Sequence, residues 1–252
     1  AHAPPSWYTE SRVYGRMAPR SDEYAAFERS MDYNFQWWLY NQEWEPWYGI
    51  FTHGDGKNYF FRNDWYEWSN NEPAMDYMWW MQFMRTGEPD YYRTAEAMSR
   101  HTMDVDNTHW PTGPEYRGDT NAALDWWEAK EATSGSPYVG MGRRHGNQQW
   151  TAMLSAHVWT AGWIASYYLD GYHRGLEVAK KTGDYYQRRI FGKHGLTGRR
   201  LYLSVWNLVE LYDATKDPSI RQELDDRVSR MLRLQRQQGG NLIIDRYGYS
   251  QV

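Results

Sequence analysis

Arg85-Thr86-Gly87-Glu88-Pro89-Asp90 and Ala214-Thr215-Lys216-Asp217-Pro218-Ser219 are two look-alike stretches, and each stands between segments whose apolar residues recur at helical spacing. Leu169-Asp170-Gly171-Tyr172-His173-Arg174 occupies a similar place between two helical stripes. Thr86, Asp170 and Thr215 lie 84 and 45 residues apart, so the spacing predicts a repeating unit of roughly 42 to 45 residues. That is the length of a helix hairpin. Stacked hairpins close into an α/α toroid or extend as a solenoid, so the chain is expected to be all-α.

Outward from these turns the stripes are explicit. Met75, Met78, Trp79 and Phe83 make one, entered through Glu72-Pro73, with Pro73 suited to an early helical position. Trp150, Met153, Leu154, His157, Val158, Ala161, Ala165 and Tyr168 read as one continuous helix, with Trp159 and Trp163 covering another face. Leu201, Val205, Leu208, Val209 and Tyr212 form a third stripe, and Ile220, Leu224, Val228, Met231 and Leu234 a fourth. Residues 23–48 suit a further helix rich in Trp and Tyr. The expected organisation is an irregular segment over 1–22 followed by an α/α-barrel domain over 23–252. Residues 49–72 and 103–149 are rich in Gly, Asn and Asp and lack periodicity, and long irregular loops in a domain are usually functional. A complete six-hairpin toroid needs more residues than these loops leave, so the barrel is expected to be incomplete, a fragment of a longer multidomain protein.

Composition narrows the function. The 252 residues carry 28 basic and 32 acidic side chains, a balance that argues against nucleic-acid binding through bulk positive potential. Sixteen Trp and 22 Tyr stand against 7 Phe; rings with a polar handle suit surfaces that are wet on one side. Without cysteine there is no disulfide, thiolate zinc site or cysteine nucleophile. No apolar run reaches the ~20 residues of a membrane span, and Ala1-His-Ala-Pro-Pro5 shows no signal-peptide pattern.

The densest chemistry is His101-Thr-Met-Asp-Val-Asp-Asn-Thr-His-Trp110, with two imidazoles, two carboxylates, an amide and an indole in ten residues. Such groups are costly to bury without partners, and they suit a metal, acid/base or sugar site alike. His101, Asp104, Asp106 and His109 offer two nitrogen and two carboxylate ligands, a set for zinc or manganese; carboxylates with Asn and carbonyl oxygens would suit calcium. Bland readings stand beside these. His101 fits the C-terminal end of a helix, Asp104 and Asp106 fit Asx turns, and Asn70-Asn71-Glu72 fits a helix cap. His53 fits a turn, Arg143 and Arg144 a solvated pair, and His157 a core histidine.

Trp47-Tyr-Gly-Ile-Phe-Thr-His-Gly-Asp55, Trp68-Ser-Asn-Asn-Glu72, Phe83-Met-Arg-Thr-Gly-Glu-Pro-Asp-Tyr-Tyr92, His101 to His109, Arg144-His-Gly146 and His157-Val-Trp-Thr-Ala-Gly-Trp163 occur in that order. Together they resemble the central α/α-barrel domain of the exo-rhamnogalacturonan lyase and YetA-like group, itself similar to lyases of rhamnose-glucuronate glycans. The resemblance spans about residues 44–236. It implies β-elimination on an acidic polysaccharide containing uronate and rhamnose, flanking β-rich domains or other chains, and a secreted or periplasmic setting. No cofactor is required; a divalent cation such as calcium can help neutralise the carboxylate.

A uronate lyase needs a base for the C5 proton, a neutraliser for the neighbouring carboxylate and an acid for the C4 oxygen. A base works best with a pKa near the operating pH, which favours His; Arg pairs naturally with carboxylate. His109 or His145 is expected as base, Arg144 or Asn70 as neutraliser, a Tyr of the 59–66 loop as acid, and His157 as a further catalytic candidate. His53, Asn70, Asn71, Glu72, Trp110 and Trp163 are expected to contact substrate. Competing readings are a glycoside hydrolase on the same scaffold, with Asp104, Asp106, Glu72 and Asp55 as its carboxylates, and a non-catalytic glycan-binding or assembly module.

Overall fold

The computed structural model describes residues 2–44, 55–59, 66–70, 74–107, 109, 140, 142–143, 153–154, 158–187 and 198–240. Their element order is α1 (Pro5–Ser11), a 3-10 turn (Asp22–Tyr24) running into α2 (Ala25–Trp44), β1 (Asp55–Tyr59), β2 (Tyr66–Asn70), α3 (Met75–Thr86), α4 (Pro89–Asp104), β3 (Gly142–Arg143), β4 (Met153–Leu154), α5 (Ala161–Asp170), α6 (His173–Gln187), α7 (Gly198–Thr215) and α8 (Pro218–Gln237). The architecture is helical, with two short antiparallel ribbons, β1–β2 and β3–β4. The chain divides into two compact units, Ala1–Val105 and Asp106–Val252. No described helix is long and apolar enough to cross a membrane.

The look-alike turns are one structure used twice. After α3, Thr86 Oγ1 donates back to the Gln82 carbonyl (2.8 Å), Gly87 takes a left-handed conformation (φ 76°), and the Glu88 N–H donates to Thr86 Oγ1 (3.2 Å). After α7, Thr215 Oγ1 donates to the Leu211 carbonyl (2.8 Å), Lys216 is left-handed (φ 54°), and the Asp217 N–H donates to Thr215 Oγ1 (3.3 Å). Glu88 (φ −71°, ψ 122°) and Asp217 (φ −70°, ψ 122°) share one extended conformation, and a proline opens the next helix in both. Gly171 (φ 67°) reverses α5 onto α6. The predicted hairpins are therefore α3–α4, α5–α6 and α7–α8.

In the first unit, aromatic side chains from three helices interlock. Phe35 of α2 lies 5.0 Å from the Trp79 ring of α3 and 4.2 Å from Tyr91 of α4, and Trp79 stacks on Tyr91 at 5.9 Å; such pairs add roughly 0.5–1.5 kcal/mol each beyond burial. A buried guanidinium completes the join. Arg85 pairs with Glu28 of α2, donates through Nη1 to Gln82 Oε1 (2.9 Å) and through Nε to the Ala18 carbonyl (2.7 Å). Between α3 and α4, Trp80 Nε1 donates to Ser99 Oγ (3.0 Å), which donates to the fully buried Asp76 carboxylate (2.8 Å). Residues 1–22, expected to be irregular, hold α1, whose Pro5 stands against Gly87. Proline's fixed φ pre-organises that first turn.

In the second unit, α6 packs closer than a side chain would allow. A Cβ on Gly175 would lie 2.2 Å from the Trp163 carbonyl oxygen of α5; one on Gly183 would lie 2.3 Å from Leu211 Cδ2 of α7 and 2.9 Å from Ile220 Cδ1 of α8. Arg227 of α8 is buried over the Tyr186 ring and donates to Ser204 Oγ (2.7 Å), Glu223 Oε1 (2.6 Å) and the Tyr186 carbonyl (2.8 Å).

Two expectations are corrected. The stripe from Trp150 to Tyr168 is not one helix: Met153–Leu154 pairs with Gly142–Arg143, Val158 to Thr160 is non-helical, and α5 starts at Ala161. The Asn207 carboxamide of α7 accepts from the Thr160 N–H (2.9 Å) and donates to the Val158 carbonyl (2.8 Å), taking the groups a continuous helix would bond internally. Six successive residues, Ala161 to Ser166, are nonetheless buried, so the first turns of this helix are covered all round, while Tyr168 farther along is exposed. The aperiodic 49–72 stretch contains the β1–β2 ribbon, and Asn70 ends β2, four residues ahead of the α3 N-cap, Ala74 (φ 66°), which caps without a side-chain hydrogen bond.

Two stability predictions follow from this geometry. Gly175→Ala destabilises by about 1–3 kcal/mol, the usual cost of forcing extra volume into a packed interior, because the obstacle is backbone. Lys216→Gly relieves a left-handed residue and raises stability by up to about 1 kcal/mol. Denaturant unfolding of both variants checks the signs.

The Tyr91 hydroxyl donates to Asp32 Oδ1 (3.1 Å), and burial together with that carboxylate pushes its pKa up to about 12. Asp32 in turn pairs with Arg20. A raised folded-state value means that the contribution is complete below the unfolded value of about 10 and is lost as pH rises from there through about 12. Tyr91→Phe should flatten the fall of stability across that window; an unaltered slope rejects the assignment.

Candidate functional site

The ten-residue cluster begins inside α4. His101 is buried in the last turn of that helix, its carbonyl accepting the Val105 N–H (2.7 Å), and Asp104 is the final helical residue, half-buried. Its place in the last turn fits the helix-end reading. The division between the two units falls directly after Val105.

From Asp106 onward the cluster belongs to the second unit, where Asp106 and Asn107 are buried. Asn107 Nδ2 donates to the Gly140 carbonyl (3.2 Å) and approaches Thr182 Oγ1 of α6 (3.4 Å), while Thr182 Oγ1 donates to the same carbonyl (2.9 Å). Gly140 has φ 93°, and a Cβ there would lie 2.1 Å from the Lys181 carbonyl oxygen. Only glycine fits a left-handed backbone pressed against another backbone. This knot fixes the 106–109 turn on α6.

His109 is half-buried. The Lys181 ammonium, 2.9 Å away, holds the Glu177 carboxyl below the usual carboxylate range, with Arg174 and His109 adding to the effect. Glu177 thus sits between two cations, and His109 is the weakest of the positive influences on it. Glu177, Lys181, Thr182 and Gly140 were not among the residues read from the sequence. In sequence Glu177 and Lys181 read as an ordinary i, i+4 surface pair, and the part played by Thr182 and Gly140 depends on what lies opposite them.

In the first unit the β1–β2 register places Asp55 opposite Asn70, so a carboxylate candidate and a carboxylate-neutralising candidate are cross-strand neighbours by backbone position. Trp163 is corrected: it is a core residue of α5, 1% exposed, and offers no ring face to a sugar. Among the described residues no three His, Asp or Glu side chains gather as a metal site. His53, Asn71, Glu72, Trp110, Arg144, His145 and His157 lie outside the described residues, as does most of the 59–66 loop.

With this geometry in place, similarity to known proteins can be weighed. Residues 1–118 match the family model of the PcRGLX-like protein C-terminal alpha/alpha toroid domain. The fold is of the α/α-toroid class. A stretch of 90 residues is 34% identical to the uncharacterized protein YetA of Bacillus subtilis (strain 168), covering 32% of this chain and 10% of that protein. The chain thus spans about a tenth of the relative's length. The family match takes in the motifs at 47–55, 68–72, 83–92 and 101–109 and ends before the segments containing Arg144, His145 and His157. It describes a C-terminal toroid domain, where the sequence motifs suggested a central one.

Asn107→Ala and Thr182→Val each remove a buried hydrogen bond to Gly140 and should cost about 1–3 kcal/mol. The double variant should cost less than the sum, because the two donors share one acceptor. Full additivity in urea titrations argues against a shared knot.

Proposed function

We propose that this toroid acts on an acidic glycan containing uronate and rhamnose, cleaving it by β-elimination with His109 as the base. The observation that carries the reading is the family match over residues 1–118, which includes His109. Its electrostatic influence on Glu177 of α6 is in keeping with the role. In the reaction a neutral imidazole takes the C5 proton, the electron pair forms the C4–C5 double bond, and the C4–O bond breaks as its oxygen takes a proton from the acid, for which the sequence reading offers a Tyr of the 59–66 loop. Proton transfer from carbon needs the adjacent carboxylate neutralised, for which the sequence reading offers Arg144 or Asn70; Lys181 and Arg174 are engaged with Glu177. Setting a cation beside the substrate carboxylate stabilises the charge that develops at C5. The same reading makes a polysaccharide outside the cytoplasm the substrate and leaves a divalent cation as an optional aid to neutralisation.

Incubation with rhamnogalacturonan, ulvan and arabinogalactan-type glycans separates the readings. A lyase yields an unsaturated uronate that absorbs in the ultraviolet, and His109→Ala should reduce its formation by at least about 100-fold, with the melting temperature of the variant as a check on folding. Saturated products with new reducing ends would indicate a hydrolase, and binding without products a non-catalytic module. Either result overturns the lyase assignment.

A further inference from the structure

The α7–α8 hairpin is charged unevenly from end to end. Its turn end holds all of its carboxylates, Glu210, Asp213, Asp217, Glu223, Asp225 and Asp226. No Asp or Glu occurs over 198–209 or 227–240, where Arg199, Arg200, Arg227, Arg230, Arg233 and Arg236 stand. The Arg227 Nη1 bond to Ser204 Oγ (2.7 Å) fixes the register of the two helices. By backbone position the first turn of α7 is therefore level with Arg230 and Arg233. Arg227 is buried and satisfied within the fold. Arg230 is half-buried, and burial together with Arg233 and Arg227 holds its pKa below the ordinary guanidinium value. Arg233 and Arg236 are exposed and make no ion pair among the described residues. Like charges one turn apart weaken a helix. The helix dipole accounts for Arg236, which lies in the last turn, but its effect fades before Arg233 and Arg230. An anionic ligand would relieve this repulsion.

We propose that this end of the hairpin binds the carboxylates of an acidic glycan chain, with Arg233 and Arg236 as the contacting cations and Arg230 strengthening their field. The occupant is argued from charge complementarity. Every cation over 198–209 and 227–240 is arginine and none is lysine, and the guanidinium fork matches a carboxylate with two parallel hydrogen bonds. Ser229 and Gln237 are exposed on the same half of α8 and offer a hydroxyl and an amide to sugar hydroxyl groups. Nucleic acid fits less well. Helix α8 has no aromatic residue on which the bases of a single strand could stack. A duplex carries one negative charge per about 1.7 Å, a dense line of charge for a chain of net charge −4. A glycan of uronate and rhamnose carries charge only on its uronate units.

The choice of ligand rests on the acidic-glycan reading above, while none of these arginines has a part in the elimination. Affinity electrophoresis and calorimetry of the chain with polygalacturonate, rhamnogalacturonan, neutral galactan and a DNA duplex test it. The double variant Arg233→Gln/Arg236→Gln should weaken binding to the acidic glycans by about tenfold or more at low salt and flatten its salt dependence. Lys216→Gln/Arg221→Gln removes the same charge at the turn end and should leave binding unchanged, as should either change with neutral galactan. Melting temperatures check that both variants fold, and the single Arg236→Gln variant should shift affinity in the same direction. Equal weakening by the two double variants overturns the patch, because net charge would then be the cause. So does unchanged affinity in Arg233→Gln/Arg236→Gln, no binding of either acidic glycan, or tighter binding of the duplex than of the glycans. Product formation is read separately in the ultraviolet assay. A chain that binds without cleaving loses the lyase reading and keeps the patch; one that cleaves, with the double variant binding normally, loses the patch alone.

Discussion

Two of the described helix pairs, α3–α4 and α7–α8, depend on a turn that reverses the chain within three residues. A threonine hydroxyl holds the last turn of one helix, a left-handed residue turns the corner, an acidic residue extends, and proline starts the next helix. The Thr86 and Thr215 turns agree to within a few degrees at Glu88 and Asp217, although one uses glycine and the other lysine at the left-handed position. That position costs lysine steric strain, so the second turn is held by what surrounds it. The hairpin that results is what allows α3 to lie on α4 and α7 on α8.

Hairpins alone do not make a core here, because so much of the buried surface is polar. In the first unit Arg85 reaches the Ala18 carbonyl, and in the second Asn207 reaches the Val158 carbonyl, Arg227 the Tyr186 carbonyl and Asn107 the Gly140 carbonyl. Each is a long or branched polar side chain satisfying backbone outside regular hydrogen bonding. Buried backbone groups must be paired, and these residues let irregular segments enter the interior. The same device explains where helical periodicity misleads. Val158 to Thr160 follows the apolar spacing of a helix, yet Asn207 offers its backbone a better partner than the helix would.

The candidate site follows the same logic. His109 stands where it does because Asn107, two residues earlier, is tied to Gly140 and Thr182. Its surroundings come from α6, some seventy residues along the chain, and no local pattern links the two. The histidine was legible as chemistry from its own neighbourhood in sequence; Glu177 and Lys181 were ordinary surface charges until α6 was placed. Trp163 illustrates the converse. An indole in an aromatic-rich chain is a reasonable sugar platform, but the close approach of α5 and α6 at Gly175 closes over it.

Sequence by itself determined the helical class, the hairpin as the repeating unit, the positions of its turns, and the polar cluster at the end of α4. Those features rest on local rules: apolar spacing, proline and glycine conformations, and the cost of leaving polar groups alone. Tertiary structure alone decided which polar side chains serve the core, where α5 begins, that the cluster divides between two units after Val105, and which aromatic rings meet water. These are questions of what lies opposite a residue, and burial and hydrogen-bond partnership are settled by neighbours that may be a hundred residues away.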